Sequence, residues 1–298
     1  MDEFSGILPF VHVAETRSFT VAAHRLGISP SAVSKVISKL EGDLGTRLFT
    51  RSSRSVTLTQ EGQAFSERCR RIISDMEDAR QALVQAQAEP RGLLRVTVSP
   101  SFGMAEIMPL IPGFLKQHSA VKIELNMSAH VTDLVKEGFD VAIRIGEMPD
   151  ARLVAKELGI RRLITAAAPG YLSQHGTPRR PDDLPTYNCL VLLNANTGMP
   201  IDWLFNKGRT EQRMRPHGNF LTTSSSALAT AATAGVGIMQ ALEFNIREEL
   251  ADGRLVSVLE EFEVSGPKPF ILFPENRRLT PKVRLFIDYI SERLGGAV

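Results

Sequence analysis

Residues 19–37 read FTVAAHRLGISPSAVSKVI, and nearly every position has a use in two short helices joined by a tight turn. Ala22, Ala23 and Leu26 face inward from a first helix, Gly27 supplies the positive φ of the turn, and Ile28 plugs the gap beneath it. Ser29 is an N-cap and Pro30 stands at the first helical position, where a missing N–H costs nothing, so a second helix begins there. Along it Val33, Val36, Ile37 and Leu40 recur at core spacing, leaving Pro30 at the tip and Ser31, Ser34, Lys35, Ser38 and Lys39 on the outer face. Short polar and cationic side chains on an exposed helix suit the major groove of double-stranded DNA. The plainer alternative is a helical hairpin with a solvated face.

Charge favours the groove. Residues 16–58 carry seven cations (Arg17, Arg25, Lys35, Lys39, Arg47, Arg51 and Arg54) against Glu41 and Asp43, a surplus of five in a chain of net charge +2. Such a patch draws phosphates and makes binding salt-dependent. The runs 48–51 and 55–59 read as two short strands around a turn, a wing that sets Arg51 and Arg54 beside the duplex backbone, where contacts position rather than specify.

Beyond the wing, Phe65, Cys69, Ile72, Met76, Ala79, Leu83 and Ala86 follow one another at alternating spacings of four and three, the pattern of a coiled-coil seam. A helix over this stretch runs about 43 Å at about 1.5 Å per residue, too long and one-sided to be buried in a small domain. Either it packs on the C-terminal part of its own chain, or the seam Phe65, Cys69, Ile72, Met76, Ala79 and Leu83 pairs two copies. Pairing would hold two reading heads at the spacing of a two-fold symmetric site.

Pro90-Arg91-Gly92 then marks the main boundary, giving a head over 1–58, a linker helix over 59–89 and a second module over 90–298. In that module, strand-like runs at 95–98, 121–127, 141–145, 162–167, 190–193 and 270–273 alternate with helical patterns at 104–118, 131–138, 225–235 and 281–294. The alternation predicts an α/β domain with a mostly parallel sheet. The whole chain, 298 residues with 43% hydrophobic and 23% charged, has the composition of folded domains, not of disordered chains. Cys69 and Cys189 stand far apart with no paired ligands nearby, which argues against a disulfide framework or a zinc site and fits a reducing cytoplasm. Met-Asp-Glu is no signal-peptide start, and no uncharged apolar run reaches the ~18 residues of a membrane span, so neither export nor spanning is expected.

The run SFTVAAHRLGISPSAVSKVISKLEGDLGTRLFTRSSRSVTLTQEGQAF resembles the winged helix-turn-helix of LysR-type transcriptional regulators. The phrases GLLRVTVSPSFG, GFDVAIRIGEMPD, AAPGYLSQHGTPRRPDDL and LTPKVRLFIDYI are similar to the effector-binding domain of the same family. One departure concerns specificity. Many members read Ser-Gln-Pro where this chain has Ser29-Pro30-Ser31, so a Gln able to contact adenine bidentately is missing. The resemblance implies an α+β multidomain chain: a winged helix-turn-helix, a long coiled-coil linker helix, and an α/β effector domain like a periplasmic binding protein. That domain would have two subdomains, at about 93–162 with 268–298, and about 163–267, joined by crossing strands around a cleft. A homodimer or homotetramer, a DNA site and a small-molecule effector follow from the family.

The residues themselves point to the same cleft. Ser99-Pro100-Ser101-Phe102-Gly103 and Leu221-Thr222-Thr223-Ser224 each follow a strand and open a helix. Free N–H groups at such starts favour an anion by ~0.3–1 kcal/mol each. The expected effector is therefore a small organic acid held by Ser99, Ser101, Phe102, Ser128, Thr222 and Thr223, although simple N-capping would use the same residue types. Arg144 is either its counter-charge or half of an internal ion pair, and Trp203 either lines the cleft or packs in the core. Catalysis has no support: there is no nucleophile elbow at Ser99–Gly103, no ligand spacing among the six histidines and no phosphate-binding loop, so neither an enzyme nor a cofactor is expected. A solute-binding protein is the alternative class, but it would need export.

Overall fold

The computed structural model describes residues 6–51, 56–83, 90–130, 133–146, 152–208, 210–275 and 280–295. They fall into two units that divide after Ala88. The first holds helices α1 (Ile7–Thr16), α2 (Phe19–Leu26) and α3 (Pro30–Leu44), the antiparallel strands β1 (Phe49–Arg51) and β2 (Val56–Leu58), and helix α4 (Gln60–Leu83). Its boundaries are made by local chemistry. The Ser18 and Ser29 hydroxyls accept from the Val21 and Ala32 amides at 3.3 and 3.1 Å, capping α2 and α3, and Gly27 ends α2 at φ +68°. Phe10, Val13, Ala22, Ala23, Val33, Ile37, Leu40 and Leu48 form the core between these elements. Ile28 is no plug: its amide closes the turn onto the Ala23 carbonyl, and the side chain is left exposed.

The linker helix corrects half of the seam. Cys69 is fully buried in the head core, and Phe65 packs on Phe10 with ring centroids 5.2 Å apart, because the first turns of α4 lie along α1. Their periodicity serves the head itself. Ile72 and Met76, 42% and 64% exposed, remain on the surface, while the Ala79 and Leu83 side chains and Ala86 lie outside the described residues. Gly62 is where α4 meets the core, since a Cβ there would collide with the Leu48 carbonyl oxygen. Gly62→Ala is expected to cost the head ~1–3 kcal/mol through overpacking, read as a lower urea midpoint of its unfolding; an unchanged midpoint would mean that α4 does not rest on the Leu48 backbone.

The second unit has two lobes. In the first, β3 (Gly92–Val98) pairs in parallel with β4 (Val121–Met127) and β5 (Val141–Ile145). The returning strand Pro269–Pro274 then lies antiparallel between β5 and β6 (Leu153–Glu157). In the second, β7 (Arg162–Ala167) is flanked by Met239–Leu242 on one side and by Val256–Val258 and Val264–Ser265 on the other, all antiparallel. Among the described strands the expectation of a mostly parallel sheet therefore holds for β3, β4, β5 and the short pair Val191–Leu192 with Leu221–Thr222, beside a single parallel bridge between Cys189 and Ile238. Alternating patterns fix where strands lie and say nothing of their direction once the chain changes sheets. It does so twice, leaving the first sheet after Glu157 to enter β7 and returning from Ser265 to Pro269. Tight backbone contact marks the second passage, where the Gly266 amide donates to the Arg161 carbonyl at 2.7 Å. The hairpin Trp203–Lys207 with Thr210–Met214 was not foreseen.

Candidate functional site

In the head, Pro30, Ser31, Lys35, Ser38 and Lys39 are all exposed on α3, with Ser34 half-buried beside them. Ser31 is partly occupied, its hydroxyl lying 2.9 Å from that of the cap Ser29. The two carboxylates in the basic stretch are not equivalent. Glu41 Oε1 accepts from both the Leu48 and Phe49 amides, at 2.8 and 3.0 Å, and so ties α3 to the wing. One anion of the patch is therefore spent on geometry. The Arg51 side chain and Arg54 lie outside the described residues.

In the second unit a cavity of about 770 Å³ opens between the lobes. The segment after β3 supplies Ser99 and Ser101, and β5 supplies Arg144; from the other lobe come Asn194 and Asn196 and, at a helix start, Thr223. Leu134, Ala142, Leu153, Leu192 and Leu272 make an apolar wall. Gly103 lets the helix after Ser99 lie close on the strand, for a Cβ would come 2.8 Å from Val98 Cγ1.

The two helix starts differ. Ser224 caps its helix through the Ala227 amide at 3.3 Å and shares its hydroxyl with Ser226, so that cluster is self-satisfied. Ser99 caps nothing. Among the described residues neither the Ser99 and Ser101 hydroxyls nor the Thr223 hydroxyl has a protein partner. Arg144 is half-buried and donates to Thr97 Oγ1 at 2.8 Å and to the carbonyls of Ile143 and His130 at 3.1 and 3.4 Å. No described carboxylate pairs with it. Burial pushes its guanidinium down to about 10, against a smaller opposing pull from Glu137, so it stays charged at neutral pH.

Four of the expected effector residues take other places. Phe102 is fully buried, its ring edge-on to Phe244 at 5.3 Å. Trp203 is buried with Phe205, Tyr171 and Leu184 in the second lobe. Thr222 turns its hydroxyl to the Ser224 amide at 3.0 Å, and Ser128 turns its own to the His130 amide at 3.3 Å, leaving Ala129 on the wall. Phe102, Thr222 and Ser128 each lie next to a lining residue, and neighbours along the chain turn to different sides of their element, whereas Trp203 belongs to the hairpin packed in the second lobe.

Residues 7–63 match the family described as bacterial regulatory helix-turn-helix protein, lysR family, and residues 87–295 match the LysR substrate binding domain. The chain belongs to the LysR family of transcriptional regulators. It is 34% identical to an HTH-type transcriptional regulator of Haemophilus influenzae over 95% of this chain and 98% of that one. It is 30% identical to the HTH-type transcriptional activator AaeR of Escherichia coli, over 98% and 94%. Among solved structures it resembles CrgA, a LysR-type regulator of Neisseria meningitidis, at 28% identity and TM-score 0.64 over 98% of both chains. AphB, a virulence activator of Vibrio cholerae, follows at 26% and 0.61 over 97% and 98%.

Asn194 and Asn196, with Asp133 and Arg152, are among the polar lining residues of this LysR regulator that its sequence did not announce, for an Asx turn in a loop looks the same with or without a cavity beside it. Asn194 Oδ1 accepts from the Asn196 and Thr197 amides at 2.9 and 3.1 Å and so shapes the loop. Among the described residues no cluster could hold a metal ion, and no helix is long and apolar enough to cross a membrane. Burial pushes the Cys69 thiol up to about 11 and the Cys189 thiol to about 12. At neutral pH iodoacetamide is expected to leave both unmodified in the native regulator and to take both in urea, by intact mass; native labelling of either would show that its burial is not maintained.

Proposed function

We propose that this LysR regulator acts in the cytoplasm as a homo-oligomer that reads a two-fold symmetric promoter site through α3 and senses a small organic acid in the cavity between its lobes. The carrying observation is Arg144, a half-buried cation that has no carboxylate partner among the described residues, at the cavity with the Ser99, Ser101 and Thr223 hydroxyls, which are likewise unpartnered among them. A charge kept out of water without an ion-pair partner is costly, and an anion in the cavity would offset that cost. Ser99, Ser101, Arg144 and Thr223 would take the carboxylate. The wall of Leu134, Leu153, Leu192 and Leu272 would take an apolar body, so the effector is a carboxylate with a hydrocarbon portion. Thermal denaturation with a panel of aliphatic and aromatic carboxylates tests this. A true effector at 100 times its dissociation constant adds ~2.7 kcal/mol of stability, whereas a panel without any shift, with amines or sugars shifting instead, would overturn the reading.

On DNA, α3 would specify and the wing would position. Ser34→Ala or Lys35→Ala should narrow the gap between operator and random DNA. Arg51→Ala should weaken both alike and flatten the salt slope by about one unit. Fluorescence anisotropy at several salt concentrations separates the two roles, and equal losses on both DNAs for all three variants would deny the division.

A further inference from the structure

The helix that begins at the cavity with Ser99 and Ser101 continues as one turn of wide π-helix, Gly103–Ile107, closed by the Met108 amide on the Gly103 carbonyl at 2.8 Å. Such turns bulge a helix and re-aim its side chains. The side chain aimed here is Glu106. Its Oε1 accepts from Arg247 Nη2 at 2.7 Å, and Arg247 opens the helix Arg247–Ala251 of the second lobe. Its Oε2 lies 3.7 Å from Arg161 Nη2, on the passage from β6 to β7. Arg161 is 6% exposed, and that Nη2 has no hydrogen-bond partner among the described residues. The same guanidinium stands over the Phe102 ring at 5.8 Å, and Phe102 in turn meets Phe244 of the second lobe. One carboxylate on the cavity helix thus faces a cation on the passage and a cation on the opposite lobe.

We propose that Glu106, shared between Arg161 and Arg247, is a charge latch that sets how far apart the two lobes stand and therefore how wide the cavity is. The latch works on the lobes whatever fills the cavity, so it does not rest on the nature of the effector. Its two arms are unlike. The Arg161 arm is buried, so loss of Glu106 would strand a cation out of water. The Arg247 arm is partly solvated, with Arg247 57% exposed, and can be cut without that penalty.

Hydrogen–deuterium exchange on the full-length protein without ligand tests the latch through Arg247→Gln, Arg247→Lys and Glu106→Gln. Arg247→Gln is expected to speed exchange about fivefold over 247–251 and equally over 103–108 and 158–162, leaving 93–98 unchanged, as for the loss of one partly solvated charge pair. Arg247→Lys, which keeps the charge, should restore most of the protection. Glu106→Gln should loosen the same three segments further, and if it does not fold the Arg247 pair still decides. Faster exchange confined to 247–251 would overturn the proposal by making the contact a local surface pair, as would an Arg247→Lys variant no better protected than Arg247→Gln.

Discussion

Ile72→Glu should convert the regulator to monomers at micromolar concentration and weaken its operator binding by a factor of about 10² to 10⁴, the avidity that two linked heads share. The expectation rests on what the head leaves over. Phe65 and Cys69 are consumed by the core beneath α1, so the part of the repeat free for a partner starts at Ile72 and Met76, both on the surface of α4. Two exposed apolar residues one helical turn apart on a long polar helix belong at a contact, and a glutamate there would be desolvated against its symmetry mate. Light scattering gives the mass and anisotropy the affinity. An unchanged mass with unchanged affinity would place the interface elsewhere, and the head, whose core Ile72 does not enter, should keep its urea midpoint.

Arg144→Met should cost the effector about tenfold to a hundredfold in affinity, the range for hydrogen bonds to a charged group, while the ligand-free protein melts no lower than the parent. The pH argument fixes the second half. Burial lowers the guanidinium below its unfolded value, so the unfolded chain holds that proton more tightly than the folded one. The cost is fully present below pH about 10 and fades only as pH rises from there towards the ordinary guanidinium value. At neutral pH a methionine of similar reach removes it. Melting curves with and without the best carboxylate from the panel decide: a melting point several degrees lower with an intact ligand shift would make Arg144 a structural residue.

The head was legible almost residue by residue because its instructions are local. Ser29 and Ala32, or Gly27 and its turn, are neighbours in sequence, and such contacts leave a signature that spacing alone can find. Glu41 was not legible as a tie. Counting it among charges hid the fact that its carboxylate serves two amides seven and eight residues on. Periodicity likewise found an apolar stripe on α4 without saying which partner each part of the stripe meets. In the second unit Ser101, Arg144 and Thr223 were picked from strand ends, where polar residues interrupt apolar runs, and all three line the cavity. Phe102 and Trp203 carried no comparable signal, for an aromatic ring reads the same on a wall as in a core.

The chain passes between the two lobes twice, at 158–161 and at 266–268. A panel held to its frame at two points can swing but neither slide nor twist freely. The pair of passages thus leaves the domain one easy coordinate, the angle through which one lobe turns on the other. Molecules of quite different shape, once between the lobes, can then differ to the rest of the chain only in how far along that one arc they hold it. Chemical variety at the mouth becomes a single graded quantity, so an inducer and its antagonist need not touch different residues; they need only stop the swing at different points.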